Sequence, residues 1–360
     1  MFPAIALRLR LRVVLALLAA AAVCMAATPA VRKLAIRIGA MDMPGESRRV
    51  NTTPIPRMGG IAIFLGFLAG VLPFSSLALP VQGILLGSLI IVALGVVDDI
   101  ISLRPWIKLL VQCAAAGVAI AHGVQIHILT NPRIFGEVIP LGALSIPATL
   151  LWIVGITNAL NLIDGLDGLA AGVSGIGCAS MLAVSLFLPG ATDVSVLLGA
   201  LGGACLGFLP FNRNPARVFM GDTGALLLGF VLSTASVLGL FKMYTVVTFA
   251  VPLLALALPL SDTLFAIVRR LYRGENPMKA DRGHIHHRLL ALGLNQKQAV
   301  AVLYAVSLIF GTAAVLLVAN AAARFWLLLA AAATVVAAWL WAAAAHRRRR
   351  KKEQKKKDGA

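Results

Sequence analysis

The fold of this chain is decided by the stretch LSIPATLLWIVGITNALNLIDGLDGL, residues 144–169. Residues 144–160 are predominantly apolar and form a run long enough to cross a bilayer as a helix. Polar side chains then follow at steps of three, namely Asn158, Asn161, Asp164 and Asp167. Side chains three apart on a helix are neighbours, so the first three of these are expected to converge on one ligand.

Two glycines interrupt the polar end of this stretch. Gly165 and Gly168 loosen the backbone, which places Asp164 and Asp167 at a helix end that faces water. Amides and carboxylates gathered where membrane meets water suggest a hard cation, and a cation at such a place suggests phosphate chemistry.

Composition extends this interpretation to the whole chain. The mean hydropathy of the 360 residues is +0.92, only 13% of them are charged, and apolar runs of about 20 residues recur along the length. We therefore predict an all-α polytopic membrane protein of 10–11 transmembrane helices. The predicted spans are 11–29, 59–78, 81–97, 106–122, 144–160, 168–188, 194–211, 222–240, 245–268, 298–320 and 323–345. Residues 1–345 form one transmembrane domain in this prediction, and residues 346–360 form a disordered polybasic tail.

The distribution of Lys and Arg predicts the orientation. With the loop after the first span inside, 26 basic residues fall on the cytoplasmic side and 6 on the other, and positive residues accumulate in cytoplasmic loops. The N-terminus is then outside and the C-terminus inside. Arg8, Arg10 and Arg12 resemble the start of a signal peptide instead, but the apolar stretch that follows is longer than in signal peptides.

The net charge of +18 does not indicate a nucleic-acid partner. Nine of the basic residues lie in the tail, at 347–357, and such a tail anchors topology or attracts anionic lipid. The four cysteines lie singly in or beside apolar spans, without a Cys-x-x-Cys pair, so they are expected to pack rather than to form disulfides or bind metal.

Most of the acids that lie near spans fall on the predicted cytoplasmic side. Asp98 and Asp99 close the third span, and adjacent carboxylates repel each other unless a cation or a donor holds them. Asp222 opens the eighth span, where an aspartate is also a good helix cap. Asp262 lies about two turns inside the ninth span, where it either partners a neighbouring helix or belongs to the site.

A histidine cluster lies in the last predicted cytoplasmic loop. His284, His286 and His287 follow Arg282 in a segment rich in Arg and Lys. No cysteine or carboxylate stands at a usual zinc spacing around them. Guanidinium and imidazole groups can donate to phosphate oxygens, so the loop is interpreted as anion-binding.

Taken together, these motifs resemble the polyprenyl-phosphate N-acetylhexosamine-1-phosphate transferase family over roughly residues 30–340. The motifs are Pro54-Ile-Pro56-Arg-Met-Gly59-Gly60, Asp98-Asp99, Asn158-x-x-Asn161-x-x-Asp164-Gly-x-Asp167-Gly, Phe219-Met-Gly-Asp222-x-Gly224 and His284-Ile-His286-His287. The last is similar to the branch that transfers N-acetylglucosamine 1-phosphate. One departure is Asn51, which stands where relatives often have histidine.

The resemblance implies roles for particular residues. Asn161 and Asp222 would ligate Mg²⁺, with Mn²⁺ as a substitute, and Lys108 would hold the lipid phosphate. Asp98 is the proposed base, with Asp99 beside it, and the alternative for Asp98 is to orient the nucleophile or to hold Lys108. Gly165, Leu166, Asp167 and Phe219 would contact uracil, with Phe219 stacking on its face, and Arg282 and the three histidines would lie near the diphosphate. Asn158 and Asp164 are further candidates for substrate binding.

The implied reaction is attack by a polyprenyl phosphate on a UDP-sugar at the cytoplasmic face of a bacterial inner membrane, with release of UMP. The resemblance also allows a homodimer. UDP-N-acetylglucosamine is the expected donor, and the UDP-linked muramoyl pentapeptide or another UDP-N-acetylhexosamine are the alternatives within the enzyme class. A polytopic transporter is the alternative from another class, because Asp262 lies inside a span.

Overall fold

The computed structural model describes residues 2–43, 54–130, 138–187, 191–239, 246–272, 274 and 283–319. In these ranges the helices are α1 Phe2–Arg37, α2 Gly60–Val71, α3 Leu79–Ile101, α4 Pro105–Ala121, α5 Ser145–Ile163, α6 Leu169–Ser185, α7 Thr192–Asn212, α8 Gly221–Gly239, α9 Val246–Ala255, α10 Ala257–Tyr272, α11 Ile285–Ala291 and α12 Gln296–Ala319. The strands are β1 Met41–Asp42, β2 Ile55–Pro56, β3 Ile128–Thr130 and β4 Val138–Pro140. The predicted span 323–345, the polybasic tail, Asn51 and Arg282 lie outside the described residues.

The prediction of an all-α polytopic membrane protein is confirmed. Six of the described helices are long and apolar enough to cross a membrane, and α2, α4 and α6 are shorter apolar helices. Large apolar side chains such as Leu86, Leu110 and Leu151 are exposed on the outside of the bundle. A bilayer would cover these side chains, because the exposed faces of transmembrane helices contact lipid tails as apolar as leucine.

Helix α8 forms the centre of the bundle. Every residue from Thr223 to Gly239 is buried, and α8 packs against α2, α3, α5 and α7. Glycines permit this close approach: a Cβ on Gly60 of α2 would collide with the backbone of Gly224, and one on Gly95 of α3 would collide with the backbone of Thr223. Small residues at helix interfaces are the usual means of close packing within membranes.

Two short hairpins connect helices. In β3–β4, Ile128 to Thr130 pair antiparallel with Val138 to Pro140. In β1–β2, Met41 and Asp42 pair with Pro56 and Ile55. This second hairpin carries the Pro-Ile-Pro motif to the beginning of α2.

The ninth predicted span, 245–268, consists of two helices. Helices α9 and α10 meet at Leu256, four residues after Pro252, which lies inside α9. Pro259, in the first turn of α10, has no N–H to donate to the carbonyl of Ala255 across this break, so the interruption has a local cause. The short helix α11 begins directly after His284 and was not predicted from the sequence.

The polar motifs meet at one end of the bundle. Helices α3, α5 and α7 end there, and α4, α6, α8 and α12 begin there, because consecutive helices run in opposite directions. We call this end of the bundle the site end.

Candidate active site

The ammonium group of Lys108 lies between two carboxylates from different helices. Lys108 Nζ, in the first turn of α4, donates to Asp98 Oδ2 over 2.6 Å and also to an oxygen of Asp222. The other oxygen of Asp98 accepts the backbone N–H of Leu103 over 2.7 Å. Both oxygens of Asp98 are therefore engaged, one by the lysine and one by the turn that joins α3 to α4.

Asp99 points in a different direction and binds the beginning of α8. Asp99 Oδ1 accepts the N–H of Asp222 over 2.9 Å, and Oδ2 accepts the N–H and the hydroxyl of Thr223 over 3.2 and 2.6 Å. The first N–H groups of a helix have no partner within the helix. A carboxylate from a neighbouring helix can accept hydrogen bonds from them, and its negative charge interacts favourably with the positive end of the helix dipole. Asp99 is thus a helix cap that positions Asp222.

The Pro-Ile-Pro-Arg-Met-Gly-Gly motif fixes the loop before α8. Phe219 N donates to Pro56 O over 2.8 Å, and its carbonyl accepts the N–H of Gly59 over 2.9 Å. Between these contacts, Arg57 forms an ion pair with Asp42 and lies within electrostatic reach of Asp99 and Asp222. The motif therefore holds Phe219 and brings a second cation near the acids.

The polar stripe on α5 divides into two parts. The Asn158 amide is hydrogen-bonded to Gln112 of α4, to which its Nδ2 donates over 2.5 Å. It therefore lies outside the group of acids around Lys108, which we call the acid cluster. Asn161, one turn later, lies beside Asp222, and its amide nitrogen is buried without a hydrogen-bond partner in the described residues. Because rotation of an asparagine amide exchanges its oxygen and nitrogen, this group can present its oxygen to a cation.

Asp164 is the C-terminal cap residue of α5 and lies within electrostatic reach of the other acids. Burial, followed by the negative charges of Asp222 and Asp99, raises the pKa of the Asp164 carboxyl to about 8. Near neutral pH this side chain keeps its proton in the absence of a further cation. The acid cluster is therefore short of positive charge.

Asp167 is held by the loop that leads from α7 to Phe219. Its Oδ2 accepts from Asn214 Nδ2 over 2.9 Å and from the N–H of Ala216 over 3.0 Å. The next residue, Gly168, adopts a φ of 77°, and its carbonyl accepts the hydroxyl of Tyr304 over 2.6 Å. Asp167 and Phe219 thus belong to one connected wall at the site end, together with the buried Leu166.

The histidine loop is held by Asp262, whose role the sequence left open. Asp262 Oδ2 binds His284 Nδ1 over 2.9 Å, and its Oδ1 accepts the N–H of Ile285, the first residue of α11, over 2.8 Å. Both side chains are buried. The carboxylate is therefore a structural partner that orients the loop.

His286 reaches the turn after α5. A Cβ added to Gly165 would overlap the His286 ring, so the ring lies directly on this glycine. Burial, together with the neighbouring His287, lowers the pKa of His286 to about 3. The ring is neutral at physiological pH and can act only as a neutral hydrogen-bonding group.

The donor set fits a magnesium ion. In the described part of the chain, the cations that face the carboxylates of Asp98, Asp99 and Asp164 are Lys108 and Arg57. Among the described residues, no group of three His, Cys, Asp or Glu side chains forms a site that would hold a metal by itself. Mg²⁺ requires few protein ligands, because it keeps water and takes phosphate oxygens.

Comparisons with known proteins assign the chain to a family. A family model described as "Glycosyl transferase family 4" matches residues 81–240, which include Asp98, Lys108, Asn161 and Asp222. The "Probable undecaprenyl-phosphate N-acetylglucosaminyl 1-phosphate transferase" of Bacillus subtilis is 41% identical over 308 residues, which is 85% of each chain. The chain belongs to glycosyl transferase family 4.

Two further relatives agree with this family assignment. The "Decaprenyl-phosphate N-acetylglucosaminephosphotransferase" of Mycobacterium tuberculosis is 36% identical over 80% of this chain and 78% of its own length. The "Undecaprenyl-phosphate alpha-N-acetylglucosaminyl 1-phosphate transferase" of Escherichia coli is 30% identical over 79% of this chain and 78% of its own. As a member of family 4, the chain is an enzyme that transfers a sugar phosphate.

Most residues that the sequence singled out for this family 4 site lie together. Asp98, Asp99, Lys108, Asn161, Asp164 and Asp222 form the acid cluster, and His286 lies beside it on Gly165. Sequence reasoning gave no role to Arg57, Thr223, Asn214 or Tyr304, although Arg57 and Thr223 stand inside quoted motifs.

Substitution of Gly165 tests whether the position of the His286 ring matters for activity. Gly165→Ala should lower the transferase activity by about tenfold, because the added methyl group displaces the His286 ring, while thermal stability in detergent stays unchanged. Gly155→Ala, on the preceding helix α5, is the matched control, since nothing lies within 4 Å of its added Cβ. Equal activity of the Gly165 variant and the wild type would show that the position of this ring is unimportant.

Asp262 should act through His284. Asp262→Ala and His284→Ala are each expected to lower activity by about tenfold, and the double variant by no more than either alone, since the residues form one unit. Asp262→Asn keeps an acceptor for Ile285 and should restore most of the activity. Losses that multiply in the double variant would contradict this coupling. Activity assays on the four purified variants measure it.

Proposed function

We propose that this enzyme transfers N-acetylglucosamine 1-phosphate from UDP-N-acetylglucosamine to undecaprenyl phosphate. UMP leaves, and the product is a lipid-linked diphosphate sugar that initiates synthesis of a cell-envelope polysaccharide. The observation that carries the proposal is Lys108, held between Asp98 and Asp222 at helix ends that both a lipid and a soluble nucleotide can approach. The printed names of the three relatives support the same lipid and sugar classes.

Lys108 is suited to bind the phosphate of the lipid. An ammonium group has three N–H donors, and two of them serve Asp98 and Asp222. The third can donate to a phosphate oxygen. Because a phosphate monoester has a second pKa near 6, the lipid phosphate is largely a dianion at neutral pH and can attack without a strong base. We therefore assign Asp98 to positioning Lys108.

Asn161 and Asp222 would hold Mg²⁺, for which Mn²⁺ could substitute. When bound, the metal would neutralise the nucleotide diphosphate and stabilise the charge that develops on its oxygens. Asp99 contributes by fixing the first turn of α8, so that Asp222 keeps its place as ligands enter and leave. Charge neutralisation and positioning account for most of the catalysis in phosphoryl transfer.

The nucleotide would bind along the wall formed by Gly165, Leu166, Asp167 and Phe219. Phe219 is half-buried and offers an aromatic face on which a base can stack. His286, neutral and seated on Gly165, can donate to the diphosphate without adding charge. We place Arg282 and His287 near the same diphosphate. Asn158 contributes indirectly, through its hydrogen bond to Gln112.

The site end would face the cytoplasm of a bacterium, with the enzyme in the inner membrane. The count of 26 basic residues against 6 supports this orientation. UDP-sugars are then delivered from the aqueous side, while the polyprenyl chain stays in the bilayer. The basic tail would strengthen contact with anionic lipid on that face.

The transporter alternative has one feature in its favour. Helices α9 and α10 are broken at Leu256, and transporters often use broken helices beside intramembrane acids. The acid in question is Asp262, however, and both its oxygens are occupied by His284 and Ile285. Asp262 thus serves to hold the histidine loop, and the relatives named above support the transferase instead.

The test is UMP release by the detergent-purified protein with undecaprenyl phosphate and Mg²⁺. UDP-N-acetylglucosamine should support turnover, and UDP-N-acetylmuramoyl-pentapeptide should not. The variant Asp222→Asn should lose at least about a hundredfold in activity, because it loses a metal ligand and a partner of Lys108. Turnover with the pentapeptide substrate alone would refute the proposed donor, and turnover without a lipid acceptor would refute the reaction.

A pH profile of Asp98→Asn separates the two roles of Asp98. Since Asp98 binds Lys108 and Leu103 N, we expect a loss of about a hundredfold that is the same at every pH. If Asp98 were the general base, the variant would regain activity as pH rises through the second pKa of the phosphate, near 6. The wild-type profile, measured in the same assay, is the control.

A further inference from the structure

Two cavities lie end to end in a groove between helices α6, α7 and α12. The first, of about 740 Å³, lies at the site end and is lined by Gly168, Pro210 and Tyr304. The second, of about 500 Å³, lies further into the bundle and is lined by Leu206 and Leu308. Pro210 and Leu206 are four residues apart on α7, as are Tyr304 and Leu308 on α12, so the two cavities are one helical turn apart.

The first cavity carries an excess of positive charge. Arg213, Arg217 and Lys297 line it, their side chains are exposed, and no ion pair joins any of them to an acid in the described part of the chain. The acid at its wall is Asp167, whose Oδ2 is occupied by Asn214 and Ala216. Three cations around one cavity favour an anionic occupant, in particular a phosphate group.

The second cavity is apolar and opens to the bilayer. Leu206 and Leu308 are each more than half exposed, at 53% and 54%, and Ala179 is exposed on α6. The hydroxyl of Ser180, which also lines the cavity, is satisfied by the carbonyl of Ile176 over 2.8 Å. An apolar chain can therefore occupy the cavity beside Ser180 without leaving this hydroxyl unsatisfied.

We propose that this groove binds a glycerophospholipid with an anionic headgroup. The headgroup phosphate lies among Arg213, Arg217 and Lys297, and one acyl chain lies between α6, α7 and α12. The order of the two cavities, charged at the helix ends and apolar within the bundle, matches the order of headgroup and chain in a bilayer leaflet. Lys108, the cation of the acid cluster, lines neither cavity, so the headgroup phosphate and the reacting lipid phosphate bind to different cations.

Native mass spectrometry of the full-length protein tests this proposal without depending on its enzymatic activity. The protein is given equal amounts of phosphatidylglycerol and phosphatidylcholine with the same acyl chains. The wild type should retain phosphatidylglycerol about tenfold or more in preference, since each basic residue near the surface attracts anionic lipid. The triple variant Arg213→Gln, Arg217→Gln, Lys297→Gln should lose this preference.

The matched control removes the same charge elsewhere. The triple variant Arg8→Gln, Arg10→Gln, Arg12→Gln changes three exposed cations near the start of α1, far from the site end, and should keep the preference. Ala179→Trp fills the apolar cavity from an exposed position, so it should abolish retention while all three cations remain. This second variant decides the result if the first triple variant fails to fold.

Four outcomes would overturn the proposal. Equal retention of the two lipids by the wild type, or an unchanged preference in both groove variants, would show that the groove has no such ligand. Displacement of phosphatidylglycerol by equimolar undecaprenyl phosphate would assign the groove to the polyprenyl acceptor. Loss of a dimer in Ala179→Trp with lipid retention unchanged would make the groove a contact between two copies of the chain.

Discussion

The N-terminus of α8 is the point on which the remaining geometry depends. Helix α8 begins at Gly221, where φ is +69°, and its first N–H groups lie in the interior of the bundle. Asp99 supplies the acceptors that they need, from the last turn of α3. Because Asp98 is the adjacent residue, this cap also sets the distance between Asp98 and Asp222, and therefore the space in which Lys108 can bind both. A bond that stabilises the fold thus also positions the groups proposed for catalysis.

The sequence predicted the helices well because hydrophobic length is a strong constraint in a membrane. The run 194–211 corresponds to α7, Thr192–Asn212, and the run 222–240 to α8, Gly221–Gly239. Clustering of the polar site residues at one end was also predictable, since each of Asp98, Asn161 and Asp222 stands where an apolar run begins or ends. The general position of the site therefore followed from the periodicity of the chain and from its few polar residues.

Individual partners could not be predicted, because they join residues distant in sequence. Asp98 and Asp99 are neighbours in the chain but about 100° apart around a helix, so one binds Lys108 while the other caps α8. Asp262 pairs with His284 across a loop, and no spacing rule relates the two. Asn158 fits the stripe on α5 as well as Asn161 does, yet Gln112 from α4 occupies it. These outcomes depend on how the helices are arranged around each other.

The charge of the acid cluster constrains how the proposed substrates can bind. Both the lipid phosphate and the nucleotide are anions, and among the described residues Lys108 and Arg57 are the cations set against the carboxylates of Asp98, Asp99, Asp164 and Asp222. Burial first, and then the negative charges of Asp222 and Asp99, raise the pKa of Asp164 to about 8. His286 cannot supply the missing charge, since burial and His287 lower its pKa to about 3. In the proposed mechanism, a Mg²⁺ ion that enters with the nucleotide would supply further positive charge beside Asn161 and Asp222. Lys108 can then turn its remaining N–H toward the lipid phosphate without being the only cation that both phosphates share.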